Sequence, residues 1–409
     1  MCATAQGQNW GMNMESIEII APRYGIAWYP RAVEYFFLVA LAYTSLWLAL
    51  PGAVFGVNRW KPIARLALVG AVTTAIAAPV SLLADLHQPL RFWHFYAHFT
   101  PWSWMSIGSL ILPVFVVLTI GLAWLVWREP MQDWRGERGI VGWVARVATL
   151  GHWDSPRWLI VLTGLGAFAA SLGMALYTGY EIAVLKGRPL WHTDFLPVMF
   201  VATGLIGSVG MLLVLDRFSG MRAAELATAP QTPVVSPSRA VSRQLLGVLL
   251  VACILAGITA ALWFAVGLTQ ADPSVAAALD SVKGNPDWRA MTFRAVATGG
   301  VLFLGVLALL MRPGIRGLGW VFGLLALHTA WMFRWAVLMN VQTVQRQTAG
   351  FSEYQLGMGS MGLLGIIGAF ALWLTVLMLI EIFVPWRAAL DGPSTVPVSK
   401  PSDGVPSHG

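Results

Sequence analysis

Between Leu82 and Met105 the chain reads LLADLHQPLRFWHFYAHFTPWSWM. This stretch gathers one acid (Asp85), one arginine (Arg91), three histidines (His87, His94 and His98), one tyrosine (Tyr96) and three tryptophans. Histidine is the side chain that changes charge near neutral pH, so the set suits proton transfer. It also suits a membrane interface, where Trp and Tyr rings anchor at headgroup depth. Further titratable groups stand inside long apolar runs: Glu34, Glu181, His328, Arg334 and Glu381. Ionisable side chains are costly in hydrocarbon and are therefore functional candidates wherever they occur there.

Spacing sharpens the set. Tyr177, Tyr180 and Glu181 are three to four residues apart, which puts all three on one helix face. A quinone headgroup needs a hydrogen-bond donor at each carbonyl, an acid or histidine that exchanges protons, and aromatic walls. Asp85, His87, Tyr177 and Glu181, with Trp93 beside them, supply those groups. Other readings stay open. Tyr177 and Tyr180 also suit an interfacial belt, and Glu34 suits a side chain reaching up to the headgroups. Arg334 reads as a salt-bridge partner of Glu181 or Asp85, His328 as a packing residue, and Glu381 as an interfacial pair with Arg387. A membrane-embedded b-type haem takes two axial ligands such as His. Only His328 lies deep in an apolar run, so no haem is expected. Cys2 and Cys253 are too few for an iron–sulfur cluster, which takes about four cysteines, and no metal site is expected.

The elements that position these groups follow from composition. The chain has 409 residues, 57% hydrophobic and only 11% charged, with a mean hydropathy of +0.68. Soluble domains carry about 25% charged residues, so the sequence predicts an all-α integral membrane protein. Nine runs are long enough to cross a bilayer: 32–51, 63–84, 103–127, 157–183, 195–215, 244–268, 292–311, 317–341 and 357–384. They lack strand alternation, and only helices and closed barrels span lipid. Gly204, Gly207 and Gly210 fit close packing between helices.

Nine crossings put the termini on opposite sides. One set of loops carries fifteen basic residues (Arg59, Lys61, Arg65, Arg128, Arg135, Arg138, Arg146, Arg217, Arg222, Arg239, Arg243, Arg312, Arg316, Arg387 and Lys400). The other carries eight (Arg23, Arg31, Arg91, Lys186, Arg188, Lys283, Arg289 and Arg346). Positive charge favours the cytoplasm, which sets the N-terminus outside, the C-terminus inside and the Asp85–His98 stretch facing outward. The net charge of +7 is explained by this orientation and not by nucleic-acid binding. The N-terminus lacks the basic start and short apolar core of a secretory signal, so it is expected to remain uncleaved. The expected organisation is an extracytoplasmic segment at 1–31, a first bundle of five helices at 32–216 holding the site, and a Pro/Ser-rich cytoplasmic linker at 217–243. A second group of four helices at 244–386 and a disordered tail at 387–409 complete it. The two helical groups are expected as two packed bundles.

DLHQPLRFWHFYAHFTPWSWMSIGSLILP, YTGYEIAVLKGRPLW (Tyr177–Trp191), FRWAVLMNVQTV (Phe333–Val344) and GIIGAFALW (Gly365–Trp373) resemble the polysulfide-reductase-type membrane subunits. Within that family they are most similar to its tetrathionate-type members. The resemblance implies a haem-free subunit that oxidises menaquinol or ubiquinol in a bacterial cytoplasmic membrane. It also implies a four-cluster iron–sulfur subunit and a molybdopterin catalytic subunit on the outer face, where tetrathionate becomes two thiosulfates. The same role in a polysulfide, sulfur or oxyanion reductase, or quinone reduction in the reverse direction, stays open because the substrate reacts in another subunit. The family's quinol-facing tyrosine falls on Tyr177 and its helix-two acid on Asp85. Glu34 stands where a Gln is expected. In this arrangement Tyr177 and His87 hold the headgroup oxygens, and Asp85 and Glu181 accept protons and pass them outward through His94 and His98. Trp93 and Tyr180 wall the site, and Arg334 offsets carboxylate charge. A secondary transporter would use similar intramembrane charges, but it predicts inverted repeats and midplane sites, and neither is visible.

Overall fold

Prolines open several of the long helices, where a missing N–H costs nothing and the fixed φ is already helical. In the computed structural model, which describes residues 27–226, 239–344, 351–352 and 354–390, nine helices are long and apolar enough to cross a membrane. They are α1 (Pro30–Ala53), α2 (Lys61–Asp85), α3 (Trp104–Asp133), α4 (Arg157–Ala183), α5 (Phe195–Leu226), α6 (Arg239–Leu268), α7 (Pro286–Met311), α8 (Gly319–Trp335) and α9 (Leu363–Phe383). The described residues contain no strand, only one isolated bridge between Val344 and Phe351. The protein is a multi-pass helical membrane protein, as its composition predicts.

The expected linker at 217–243 is shorter than the sequence suggests, because α5 runs on to Leu226 and α6 begins at Arg239. Its Pro-rich centre (227–238), the segment 1–26 and the tail 391–409 lie outside the described residues.

The helices do not separate into two bundles. Helix α1 is the hub: it packs against α2, α4, α5, α8 and α9, and nearly every residue from Ala32 to Leu46 is buried. Helix α8 packs mainly on α5, and α9 returns to α1 and α2. Small residues permit this crowding. A Cβ at Gly210 would stand 2.6 Å from the Gly323 carbonyl oxygen, and one at Gly207 would stand 2.7 Å from Leu41. The Gly204–Gly210 row therefore serves close packing of α5 on α1 and α8.

Alternate helix directions bring the N-terminus of α1, the C-termini of α2 and α4, and the N-termini of α3 and α9 to one end of the molecule. A π-helical turn at Ala336–Asn340 continues α8 toward the same end, followed by a short helical turn at Val341–Thr343. Such turns free a backbone carbonyl, and the Trp191 indole donates to the Val337 carbonyl at 2.6 Å. Gln342 then anchors the lead-in to α1: its Oε1 accepts from the Ala27 and Trp28 amides (2.8 and 3.1 Å), and its Nε2 donates to the Trp28 carbonyl (3.0 Å). At the opposite end, Glu381 accepts from Arg387 at 2.8 Å, the interfacial pair expected from the sequence.

Candidate functional site

Helix α1 carries Arg31, Glu34 and Tyr35, one turn apart, and each meets a different partner. Arg31 Nη1 donates to the Ala84 carbonyl at 2.8 Å, tying α1 to the last turn of α2. That turn places Asp85, which is buried and faces the backbone N–H groups of Tyr29 and Ala32 as well as the Arg31 charge. A helix N-terminus favours negative charge at this position. Glu34, 1% exposed, lies within electrostatic reach of both Arg31 and Asp85. Neither of its carboxylate oxygens is hydrogen-bonded among the described residues, and Asp85 Oδ1 is equally unpaired.

Tyr35 turns the other way, toward α4. Its phenol faces that of Tyr177, and Tyr177 in turn faces Glu181, one helical turn further along the same face. All three are buried, while Tyr35 Oη and Glu181 Oε2 lack a hydrogen bond of normal geometry. The Tyr177 ring occupies space that only glycine leaves open: a Cβ at Gly108 of α3 would lie 2.1 Å from its Cε2 and Cζ. The glycine of YTGY has a different use. Gly179 admits Pro197 of α5, whose Cα would sit 2.5 Å from an added Cβ, so the space beside it belongs to a helix contact and not to a ligand.

The other expected site residues spread away from this core. His87 is exposed and lies against the Tyr29 ring, with centroids 5.3 Å apart. Trp93 and His94 sit in the turn between α2 and α3, their rings 4.0 Å apart, with His98 5.7 Å from His94. Tyr180 stacks on Trp104 at 5.4 Å and an interplanar angle of 18°, a flat aromatic pair beside the Tyr177–Glu181 face.

Arg334 is the clear correction. Among the described residues it pairs with neither Glu181 nor Asp85. Its guanidinium donates to Thr203 Oγ1 and to the Phe200 carbonyl (2.7 Å), faces Tyr43, and lies over the Phe200 ring at 5.1 Å. Tyr43 is eight residues beyond Tyr35, about 12 Å along the helix axis. The arginine therefore braces α8 against α5 and α1 well below the carboxylates. It cannot offset their charge there as a contact partner would.

Sequence reasoning missed Arg31 and Tyr35. A signal for them was present: RAVEY places a cation, an acid and a phenol at i, i+3 and i+4, hence on one stretch of helix surface.

Buried phenols and carboxylates gathered at one end of a nine-helix bundle define a multi-pass membrane protein with a polar cluster near a bilayer surface. The chain belongs to the family described as polysulphide reductase, NrfD, whose model matches residues 19–345. It is 29% identical to a tetrathionate reductase subunit of Salmonella typhimurium, over 89% of this sequence and 94% of that one. It is 24% identical to a selenate reductase subunit of Mesobacillus selenatarsenatis, covering 47% of this sequence and 49% of that one. A polysulfide reductase polypeptide of Wolinella succinogenes is 27% identical, with 48% of this sequence and 60% of that one covered. The protein is thus a membrane subunit of a family whose members serve several reductases.

Proposed function

We propose that this protein is the quinol-oxidising membrane subunit of a reductase complex in a bacterial cytoplasmic membrane. It delivers electrons to a four-cluster iron–sulfur subunit and onward to a molybdopterin subunit that reduces tetrathionate. One observation carries the reading: Tyr35, Tyr177 and Glu181 form a buried polar file beside Glu34 and Asp85, and several of their oxygens lack partners. An unpaired buried polar atom is costly. A quinol headgroup offers hydroxyls, and its oxidised form carbonyls, that match those oxygens, so the residues fit it. Bound there, a quinol supplies two electrons and two protons on oxidation.

The protein's own groups have separable tasks. Tyr177 would accept a hydrogen bond from a headgroup hydroxyl and, on taking that proton, give its own phenolic proton to the Glu181 carboxylate, the next polar group on its helix face. Asp85, buried just beneath the rim, takes the second proton, and His87, His94 and His98 carry it to water. Arg31 and the N-terminus of α1 keep Asp85 in place. Tyr180 on Trp104, with Trp93 nearby, gives the ring a flat wall. Arg334 holds the helices together.

The names of the relatives bear on the terminal acceptor. Tetrathionate is favoured by the relative matched over nearly its whole length, while the selenate and polysulfide relatives are matched over about half of theirs. The protein, tagged and purified from native membranes, should carry molybdenum and iron–sulfur signals and reduce tetrathionate with a quinol analogue. Purification without either metal would overturn the reading.

Two further results are expected. A reporter fused after Arg387 should read as cytoplasmic and one inserted between His94 and His98 as external; the reverse would invert the site and remove the proposed partners from it. The purified protein should also show no stoichiometric Soret band after stringent washing, since His328 has no second deep histidine to complete a b-type haem site. A stoichiometric band would contradict that.

A further inference from the structure

On the far side of α1 from Tyr35, a second feature has no part in the proposed chemistry. A cavity of about 490 Å³ opens between α1, α8 and α9. Its walls are Phe37, Trp331, Trp335, Phe370 and Leu356, and His328 lines it as well. Residues two apart on a helix diverge by about 200°, so Phe37 and Tyr35 present opposite faces of α1.

His328 is out of place for a packing residue. The crossing that contains it runs from Gly319 to Thr343. His328 is therefore about 14 Å from one end and about 22 Å from the other at 1.5 Å per residue, near the middle of the bilayer. Its side chain is exposed toward the cavity. Neither its ring nor the indole N–H groups of Trp331 and Trp335 make a hydrogen bond to the described residues. By contrast, Trp373, on the same wall, donates to Thr73 at 3.1 Å. Polar groups at this depth have no water to turn to.

We infer that this cavity is a second binding site for a quinone-class lipid, a flat ring with carbonyl acceptors and a long apolar tail. The chemistry of the lining selects that occupant. A volume of this size lies within the ~300–1,000 Å³ usual for small-molecule sites. Aromatic walls pair with a planar ring in stacked or edge-on geometry, and Trp331 and Phe370 already stand 5.2 Å apart. Acyl chains and an apolar partner helix offer no acceptor to His328 or the two indoles. Phospholipid phosphates lie about 15 Å away, half the thickness of the hydrocarbon core. Helix α9 forms one wall. The site lies on the opposite face of α1 from Tyr35 and is independent of the cluster at Tyr177.

The test is photolabelling of the whole complex in native membranes with an azido-substituted isoprenoid quinone, followed by peptide mapping. Label should appear on α8 between Leu327 and Trp335 and on α9 between Ile366 and Trp373. His328→Leu should reduce it about three- to tenfold, the weight of one hydrogen bond. His328→Gln, which keeps a donor, should retain it, and the amount of protein in the membrane should be equal in both variants. Label confined to the peptides around Gly108 and Tyr177, or none at all, would overturn this site and leave the proposed function untouched. Label on α8 and α9 with none near Tyr177 would uphold this site and refute the other. Label that excess phosphatidylethanolamine displaces and His328→Leu leaves unchanged would mark an acyl-chain groove and overturn the proposal. So would crosslinking of Trp335 to a partner's helix.

Discussion

Replacing Tyr177 by Phe will lower quinol-driven reduction by about 10²–10⁴-fold, the usual cost of losing a positioned acid–base group. The complex should still assemble. The substitution removes one hydroxyl from a ring that is 3% exposed and packed under Gly108, so the packing itself stays whole. What disappears is the phenol that faces both Tyr35 and Glu181. Asp85→Asn should behave alike, since the amide oxygen can still face the Tyr29 and Ala32 N–H groups but the side chain no longer takes a proton. Reduced viologen, which feeds the iron–sulfur clusters directly, separates the causes. Dye-driven activity that persists while quinol-driven activity is lost places the defect in this subunit's chemistry. A parallel loss of both would make the residues structural. Full quinol-driven turnover in both variants would remove the site from this end of the bundle.

Much of the frame was legible from composition. Nine long apolar runs without strand alternation gave nine crossings, because only helices and closed barrels span lipid. The three-to-four spacing of Tyr177 and Glu181 correctly put them on one face. What the sequence could not give was partners across helices. Tyr35 reads as an ordinary interfacial tyrosine until the packing turns it toward Tyr177. Arg334 shows the opposite failure: an intramembrane arginine suggests a carboxylate partner, yet it is satisfied by Thr203, a backbone carbonyl and a ring face. Charge arithmetic along the sequence does not reveal that a hydroxyl and a carbonyl are available on the neighbouring α5. The split into two bundles failed for a related reason. A long polar connection interrupts the sequence between α5 and α6, but burial is decided by faces, and those of α8 and α9 are completed by α5, α1 and α2.

Gly108 supplies a sharper test, because it has no chemistry of its own. Gly108→Ala puts a methyl group 2.1 Å from the Tyr177 ring, closer than any real contact, so the ring must move. A displacement of about 1 Å can cost about 10²-fold when a reacting group depends on its position. Quinol-driven activity should fall by about that factor while viologen-driven activity stays. Gly173→Ala, on the same α3–α4 interface, is the control: its added carbon meets only the Ile111 side chain, at 3.3 Å, and turnover should be nearly unchanged. The double variant Gly108→Ala with Tyr177→Phe decides the mechanism. If the alanine acts by moving the Tyr177 hydroxyl, nothing remains for it to disturb once that hydroxyl is gone. The double variant should then be no worse than the more impaired single one, a failure of additivity expected for groups in contact. Losses that multiply would show that Gly108 supports activity by another route, and Tyr177 would lose its place as the group the packing of α3 on α4 positions.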